Sequence, residues 1–151
     1  MAQRDTSTAG KTFRIGELAT LSGRSVHTIR WYESQGLMPG VTRDSGGRRV
    51  YDALHVGWLE LMTRLRDTGM SIAEMREYTA LVKEGKGTLK QRQAQLAAHR
   101  ERVKLNIAEL NLAVKLIDRK LAFYADWIDS GKQPPPWWPS ATKPAKAKRN
   151  K

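Results

Sequence analysis

The chain has no cysteine among its 151 residues. This absence excludes disulfides, thiolate metal sites and thiol redox sensing within the sequence. Long apolar runs are also missing, because no stretch approaches the roughly 20 residues of a membrane-spanning helix. The N-terminus, MAQRDTSTAGKT, is polar and lacks the apolar core of a signal peptide. We therefore expect a soluble, cytoplasmic protein.

Side-chain patterns for metal binding and catalysis are scarce as well. The three histidines, His27, His55 and His99, fall in different predicted elements and lack the spacing of metal ligands. The sequence shows no nucleophile–base pair, no paired-carboxylate site and no Walker-type phosphate loop. We expect a protein without a cofactor and without enzymatic activity.

Positive charge, by contrast, is abundant. Lys and Arg number 27 against 15 Asp and Glu, a formal net charge of +12. Five of the cations lie in an acid-free tail after Trp138, and twelve less these five leaves an excess of seven on the rest. A folded part that is itself basic favours a polyanionic partner with salt-dependent affinity.

Residues 13–51 predict a winged helix-turn-helix. A short amphipathic helix is followed by a turn at Gly23, and a second helix is predicted from Ser25 as N-cap to Gly36 as its C-terminal glycine. A hairpin rich in glycine and arginine then returns to residue 51. Two helices joined by a tight turn can pack at a steep angle, which frees the second to enter a major groove of DNA.

The second helix supplies candidate DNA contacts. His27 and Thr28 lie in its first turn, where side chains can reach base edges, and His27 is the favoured direct reader. Ser25 and the free N–H groups beside it form an anion site suited to a phosphate. Trp31 either covers the sugar and backbone or is partly buried.

The hairpin supplies further candidates. Glycines 46–47 permit the positive φ values of a tight turn. Arg43, Arg48 and Arg49 make a short cationic ribbon that suits phosphate contacts. Tyr51 is predicted to donate to a phosphate, with hairpin packing as the alternative.

Capping patterns predict the following helices. Asp52 is the expected N-cap of a third helix that closes at Gly69, and Ser71 and Glu74 form a capping box that opens a fourth. The fourth helix is expected to end at Gly85.

A long helix over residues 88–130 is predicted next. Thr88 to Gln91 reads as a capping box, and no Gly or Pro follows until Gly131. Apolar residues recur every seven positions with a second set four residues later, as in a coiled coil. A long core helix that folds back on the chain's own helices is the alternative, supported by a further apolar flank. The predicted dimerisation residues are Leu96, Val103, Ile107, Leu110, Val114, Ile117 and Leu121.

The end of the chain, residues 131–151, combines a Pro/Trp segment with a basic arm and predicts an extended, then flexible, tail. Aromatic residues cluster on both sides of its start. If the tail folds back, they could form a pocket for a hydrophobic or cationic organic effector. The alternative is that they pack the end of the coiled coil and pin the tail. These residues are Phe123, Tyr124, Trp127, Trp137 and Trp138.

The order of these motifs resembles the MerR family of bacterial transcriptional regulators over about residues 13–128. The most specific segments are TIRWYE at 28–33 with Gly-Leu at 36–37, the wing pattern over 43–51, and LRDTGMSIAEM at 65–75. The resemblance implies a mainly α fold. In that fold a disordered lead (1–12) precedes a winged helix-turn-helix domain of four helices and a hairpin (13–85), and an antiparallel dimerisation helix (88–130) follows.

The resemblance also implies roles for individual residues. Arg30 and Tyr32 match family positions that contact the DNA backbone, and Arg43 and Arg49 match the wing arginines. Trp31 stands where a Tyr is commonest in the family. Arg48 replaces an aromatic residue usual in the wing, and the cysteines of the metal-sensing branches are missing.

The expected function is that of a homodimer on a pseudo-palindromic operator in double-stranded DNA. By resemblance it would bind between promoter elements that are set too far apart, and would bend and untwist the spacer for RNA polymerase. Two alternatives stay open at this stage. One is a protein-interaction module with a MerR-like fold, and the other is an architectural DNA-binding protein without an effector.

Overall fold

The computed structural model describes residues 10–138. Helices dominate it, as the sequence predicted, and a small antiparallel sheet accompanies them. In chain order the elements are β1 (Thr12–Phe13), α1 (Ile15–Ser22), α2 (Val26–Ser34), β2 (Thr42–Arg43), β3 (Arg49–Asp52), α3 (Ala53–Asp67), α4 (Ile72–Glu84) and, after a 3-10 turn (Lys86–Thr88), α5 (Leu89–Ser130).

Local chemistry sets the helix-turn-helix boundaries where the sequence predicted them. Gly23 ends α1 in the left-handed conformation, with φ of 65°. The Ser25 side chain accepts a hydrogen bond from the Thr28 N–H at 3.1 Å and begins α2. After α2, Gly36 takes a φ of 74°, which a residue with a Cβ rarely adopts.

The caps of α3 and α4 also form as predicted. The Asp52 carboxylate accepts from the backbone N–H groups of Leu54 and His55 and begins α3. Ser71 and Glu74 complete a reciprocal capping box at the start of α4.

The capping box predicted over Thr88 to Gln91 is wrong. Residues 86–88 form a 3-10 turn, and the Thr88 hydroxyl donates to the carbonyls of Leu81 and Gly85 instead of capping α5. The Arg92 guanidinium donates to the same hydroxyl oxygen at 3.1 Å. Thr88 therefore ties the α4–α5 connection together.

A strand that the sequence did not predict completes the sheet. β1 pairs with β3, which also pairs with β2, so that the strand order is β1-β3-β2 and both pairings are antiparallel. Phe13 lies opposite Tyr51, and Arg43 lies opposite Arg49. Thr12, which the sequence assigned to the disordered lead, is therefore a strand residue, whereas residues 1–9 lie outside the described residues.

The structure comprises two compact units, and the boundary between them falls within α5, between Lys104 and Leu105. The first unit contains the core, in which side chains from α1 to α4 are sealed from solvent. Burial of each large apolar side chain contributes about 1.5–3 kcal/mol. The most deeply buried residues of this core include Leu18, Ile29, Tyr32, Leu37, Leu59, Met62 and Met75.

The first half of α5 is held on this core. Leu96 is partly buried and packs against the core, so this predicted dimerisation residue makes contacts within its own chain. The His99 ring is buried and hydrogen-bonds the Thr68 hydroxyl at 2.8 Å. Arg102 donates to the Glu74 carboxylate at 2.7 Å. The start of α5 is therefore fastened to α3 and α4.

In the second unit, the apolar side chains of α5 face solvent in the single chain. The exposed set includes Ile107, Leu110, Val114, Ile117, Leu121, Ile128 and the flank of Leu105, Leu112 and Leu116. Phe123 is the exception and is only 5% exposed. No helix within residues 10–138 is long and apolar enough to cross a membrane.

Candidate nucleic-acid interface

The candidate recognition surface is built on α2, whose two sides differ sharply. Ile29 and Tyr32 are buried and fix the helix on the core, whereas His27 and Arg30 are exposed. The helix begins at Ser25, which is exposed. The free N–H groups of the first turn and the side chain of His27 lie at this same end. This end can accept a phosphate and bring His27 to base edges.

Ser25 and Thr28 act together at this helix end. Besides accepting the Thr28 N–H, the Ser25 hydroxyl lies 2.9 Å from the Thr28 hydroxyl. Either hydroxyl can donate to the other, so the pair leaves one donor for an external oxygen.

Trp31 is partly buried, and a cation lies over it. The Arg66 guanidinium on α3 is 4.4 Å from the centre of the Trp31 ring. Trp31 also packs edge to face on Tyr32. This stacking holds the Arg66 guanidinium beside α2, where it adds a positive charge to the candidate recognition surface.

The wing, residues 42–52, is organised by an aspartate. The Asp44 carboxylate accepts from the backbone N–H groups of Gly46 and Arg48 at 3.0 and 2.9 Å. It also accepts from the Arg14 guanidinium at 2.5 Å, and Arg48 lies 3.4 Å away. The hydrogen bond from Arg14 is the largest cause that lowers the pKa of Asp44 to about 2.

Glycine is required at one place in this wing. Gly47 adopts a φ of 75°, and its N–H donates to the Asp44 carbonyl. The side chain of Arg43 donates to the Gly47 carbonyl at 2.6 Å across the turn. Arg43, Arg48 and Arg49 all remain exposed on this ribbon.

A glutamate joins the recognition helix to the wing. The Glu33 carboxylate on α2 accepts from the Nε of Arg49 at 2.5 Å and from the Tyr51 hydroxyl. Burial and this hydrogen bond raise the pKa of Tyr51 above its ordinary value. Since Arg49 and Tyr51 both lie on β3, the contacts fix the wing relative to α2.

The structure assigns Tyr51 a packing role and shows that Tyr32 is buried. Tyr32 and Tyr51 are each only 1% exposed, and their hydroxyls face Thr63 and Glu33 inside the protein. The Tyr51 hydroxyl is therefore used within the protein, whereas Tyr32 also lines a pocket beside Ser25 and Thr28 at the start of α2. For Tyr51 this is the packing role that the sequence left as an alternative.

Three contributors to the site were not predicted as such: Arg14, Glu33 and Asp44. Their importance comes from contacts with residues that are distant along the chain. A partial signal was present for Asp44, because an aspartate beside a glycine pair is typical of a turn. Nothing local marks Arg14 or Glu33.

The aromatic residues proposed for an effector pocket meet in the second unit. Phe123 contacts Tyr124, Trp127 and Trp138, with ring centres 5.7–5.9 Å apart. Trp137 packs edge to face on Trp138. Residues 131–138 therefore fold back on α5, as the pocket hypothesis requires and as a pinned tail also would, whereas the predicted basic arm, residues 139–151, lies outside the described residues.

One side of α2 is buried, its first turn exposes polar groups, and Glu33 ties it to a cationic β-ribbon. This arrangement defines a winged helix-turn-helix protein of the DNA-binding class. Comparison with known proteins agrees. The family described as "MerR HTH family regulatory protein" matches residues 13–81. The family described as "MerR, DNA binding" matches residues 56–119.

Individual relatives extend the match. The chain is 34% identical over 113 residues to an uncharacterized HTH-type transcriptional regulator of Haemophilus influenzae, covering 75% of this chain and 84% of that protein. It is 38% identical over 89 residues to the HTH-type transcriptional regulator AdhR of Bacillus subtilis. That alignment covers 59% of this chain and 64% of AdhR, just under two thirds of its length.

Solved structures show the same fold. HiNmlR, described as a MerR family regulator lacking the sensor domain and bound to promoter DNA, superposes with a TM-score of 0.71 and 32% identity. The alignment covers 81% of this chain and 97% of HiNmlR. A MerR family regulator from Bacillus thuringiensis gives a TM-score of 0.66 and 27% identity, covering 74% and 98%.

The chain belongs to the MerR family of DNA-binding transcriptional regulators. This family is a class of regulators and not a class of enzymes.

Proposed function

We propose that this protein regulates a promoter by binding duplex DNA as a homodimer in the cytoplasm. In each half-site α2 enters the major groove, and the wing contacts the flanking backbone. The observation that carries the proposal is the link from Glu33 to Arg49, because it joins the recognition helix and the cationic wing into one surface. The recognition of promoter DNA by HiNmlR supports the same use of this fold.

Dimerisation is supported by the apolar stripe of α5. Leu110, Ile117 and Leu121 are 57–65% exposed in the single chain, and they recur at the spacing of a coiled-coil seam. A soluble monomer rarely leaves so long an apolar stripe uncovered. We propose that two copies of α5 pair antiparallel along this stripe and so set the separation of the two recognition helices.

The proposed dimer acts on the geometry of the promoter. It binds the spacer between two promoter elements, and contacts that form only with bent and untwisted DNA offset a deformation cost of about 1–10 kcal/mol. The deformed spacer then presents both elements to RNA polymerase. The energy comes from DNA contacts, so the mechanism requires no catalytic residue.

A mobility-shift assay on the DNA upstream of the gene that encodes this protein tests the proposal. Arg49→Ala should weaken binding to every sequence and lower the slope of log affinity against log salt by about one, because one phosphate contact is lost. His27→Ala should instead relax preference at one base pair of each half-site. Lys90→Ala removes an exposed cation at the start of α5 and serves as the control.

Specific retardation by the wild type with these two distinct losses supports the proposal. If no upstream fragment is retarded above random DNA, the protein-interaction module is favoured instead. If DNA is bound and bent but the spacer promoter is transcribed unchanged, the protein is architectural. A uniform loss in both variants would contradict base reading by His27.

A further inference from the structure

Three aromatic rings converge on one ammonium group in the second unit. The Nζ of Lys120 lies 4.6 Å from the centre of the Phe123 ring, 4.8 Å from that of Tyr124 and 4.7 Å from that of Trp138. Phe123 and Tyr124 belong to α5, whereas Trp138 follows the prolines. We name these three rings the cage. Its walls thus come from two separate segments of the chain.

The cage is built for a cation. The faces of aromatic rings carry negative potential, and three rings around one positive charge are the arrangement by which proteins recognise organic ammonium groups. Phe123 is only 5% exposed. Trp137 packs edge to face on Trp138, with the two ring centres 5.5 Å apart. Lys120 occupies the cage as an internal ligand.

A cavity of about 540 Å³ adjoins the cage at Phe123. This volume lies within the range of about 300–1,000 Å³ that small-molecule sites occupy. Pro134 and Trp137 give it apolar walls, and Asp126 lines it with a carboxylate. Arg119 also lines it, but its guanidinium lies 5.8 Å over the Trp137 ring and so is directed to an aromatic face.

We propose that the cage and this cavity form a binding site for an organic cation with an aromatic body. The cation takes the place of the Lys120 ammonium among the three rings, and the aromatic body fills the cavity between Phe123 and Trp137. Lys120 acts as a built-in competitor that holds the site closed until such a molecule is present. The inference rests on the proposed function, because a site of this kind is an effector site only in a protein that regulates a promoter.

Benzyltrimethylammonium is the probe for this site. It should bind saturably to the full-length protein and shift the indole signals of Trp137 and Trp138 in NMR spectra, leaving those of Trp31 and Trp58 in place. Lys120→Ala should bind it about ten-fold more tightly, because no internal ligand has to be displaced. Lys115→Ala, a lysine that is exposed on the same helix, should match the wild type.

Two further variants keep the test sharp if Lys120→Ala folds poorly. Lys120→Arg retains an internal cation and should bind the probe close to the wild-type affinity. Trp138→Ala removes one wall, and in the Lys120→Ala background it should cancel the gain. Benzenesulfonate, an aromatic anion of similar size, should not bind.

Equal affinity of Lys120→Ala and Lys115→Ala for the probe would overturn the proposal, and so would equal binding of benzenesulfonate. Mobility shifts without the probe test the proposed function separately. A protein that binds the cation but not DNA would keep this site and lose the proposed function. The reverse result would remove the site and leave the DNA-binding function intact.

Discussion

At the scale of single residues, each wing arginine has a protein acceptor before DNA arrives. Arg43 donates to the Gly47 carbonyl, Arg49 is held by Glu33, and Arg48 lies against Asp44. A free arginine side chain loses up to about 2 kcal/mol of conformational entropy when it is ordered. Because the donors not used within the protein remain available, these contacts orient the cations and reduce that cost on binding.

Glu33→Gln tests this view of the wing. A neutral amide still accepts from Tyr51, but it no longer attracts Arg49, so we expect the free energy of unfolding to fall by about 1 kcal/mol. Non-specific DNA affinity should rise roughly five-fold, because the removal of a negative charge close to a phosphate outweighs the lost ordering of Arg49. Urea denaturation and anisotropy with a random duplex measure the two effects.

The matched control for this variant is Glu60→Gln. Glu60 is an exposed glutamate on α3 that pairs with Arg64 at 3.3 Å, so the variant removes the same charge outside the wing. Its stability should change by less than about 0.5 kcal/mol. If both variants raise DNA affinity equally, the effect is one of net charge and the contact of Glu33 with the wing has no special role in DNA binding.

The Asp44 carboxyl predicts how the stability of the fold depends on pH. Its pKa is about 2 in the folded protein against an ordinary 3.8, chiefly because Arg14 hydrogen-bonds the ionised form. A lowered pKa stabilises the fold above about pH 4, and this contribution is lost as the pH falls from about 4 to about 2. Carboxyl ¹³C NMR should therefore place the midpoint of Asp44 near 2.

Arg14→Ala should move this midpoint upward toward 3.8, because the largest cause of the lowered pKa is removed. Arg43→Ala is the control, since Arg43 donates to the Gly47 carbonyl and should leave the Asp44 midpoint in place. A midpoint near 3.8 in the wild type would mean that Arg14 does not hold the wing in solution.

At the scale of elements, the caps were predictable because their chemistry is local. Ser25, Asp52 and the Ser71–Glu74 pair each bond within three residues, so sequence spacing suffices to identify them. Thr88 shows the limit of this reasoning. It has the pattern of a cap, yet its hydroxyl donates to Leu81, seven residues back in α4.

Non-local pairing explains the other differences. β1 has only two residues and exists because β3 offers it a free edge, which no periodicity in residues 12–13 could indicate. Tyr32 and Tyr51 lie among cationic residues in the sequence, but burial depends on elements that are distant along the chain. The exposed DNA candidates on α2 and the wing were predictable because amphipathicity and turn chemistry are local.

The stripe on α5 carries a prediction for the assembly. Leu110→Lys combined with Ile117→Lys places two charges on the proposed seam, and we expect monomers, because a buried unpaired ammonium costs several kcal/mol. Light scattering after size exclusion measures the mass. DNA affinity of this variant should fall to that of a single half-site.

Asn111→Lys combined with Asp118→Lys is the control for the stripe. These residues have the same seven-residue spacing, but each lies one position beyond the seam. This variant should remain a dimer. If both double variants give monomers, the surface that joins the protomers is wider than the stripe, and if neither does, it lies elsewhere.

At the scale of the whole molecule, the net charge and the symmetry of the proposed dimer act together. The formal charge of +12 draws the protein to DNA of any sequence, with an affinity that falls as salt rises. Selectivity has to come from geometry, because one α2 helix of nine residues reads only a few base edges. In the proposed dimer, two recognition helices at a fixed separation multiply this limited reading.

The spacing of the two half-sites is therefore the sharpest test of the assembled protein. Inserting five base pairs turns one half-site to the opposite face of the duplex, because a turn takes about 10–10.5 base pairs. We expect affinity in a mobility-shift titration to fall to that of an isolated half-site, since a rigid dimer cannot reach both faces. An equal insertion outside the half-sites leaves their separation intact and should change nothing. Undiminished affinity after the central insertion would mean that each protomer binds independently, and α5 would then have no part in selecting the operator.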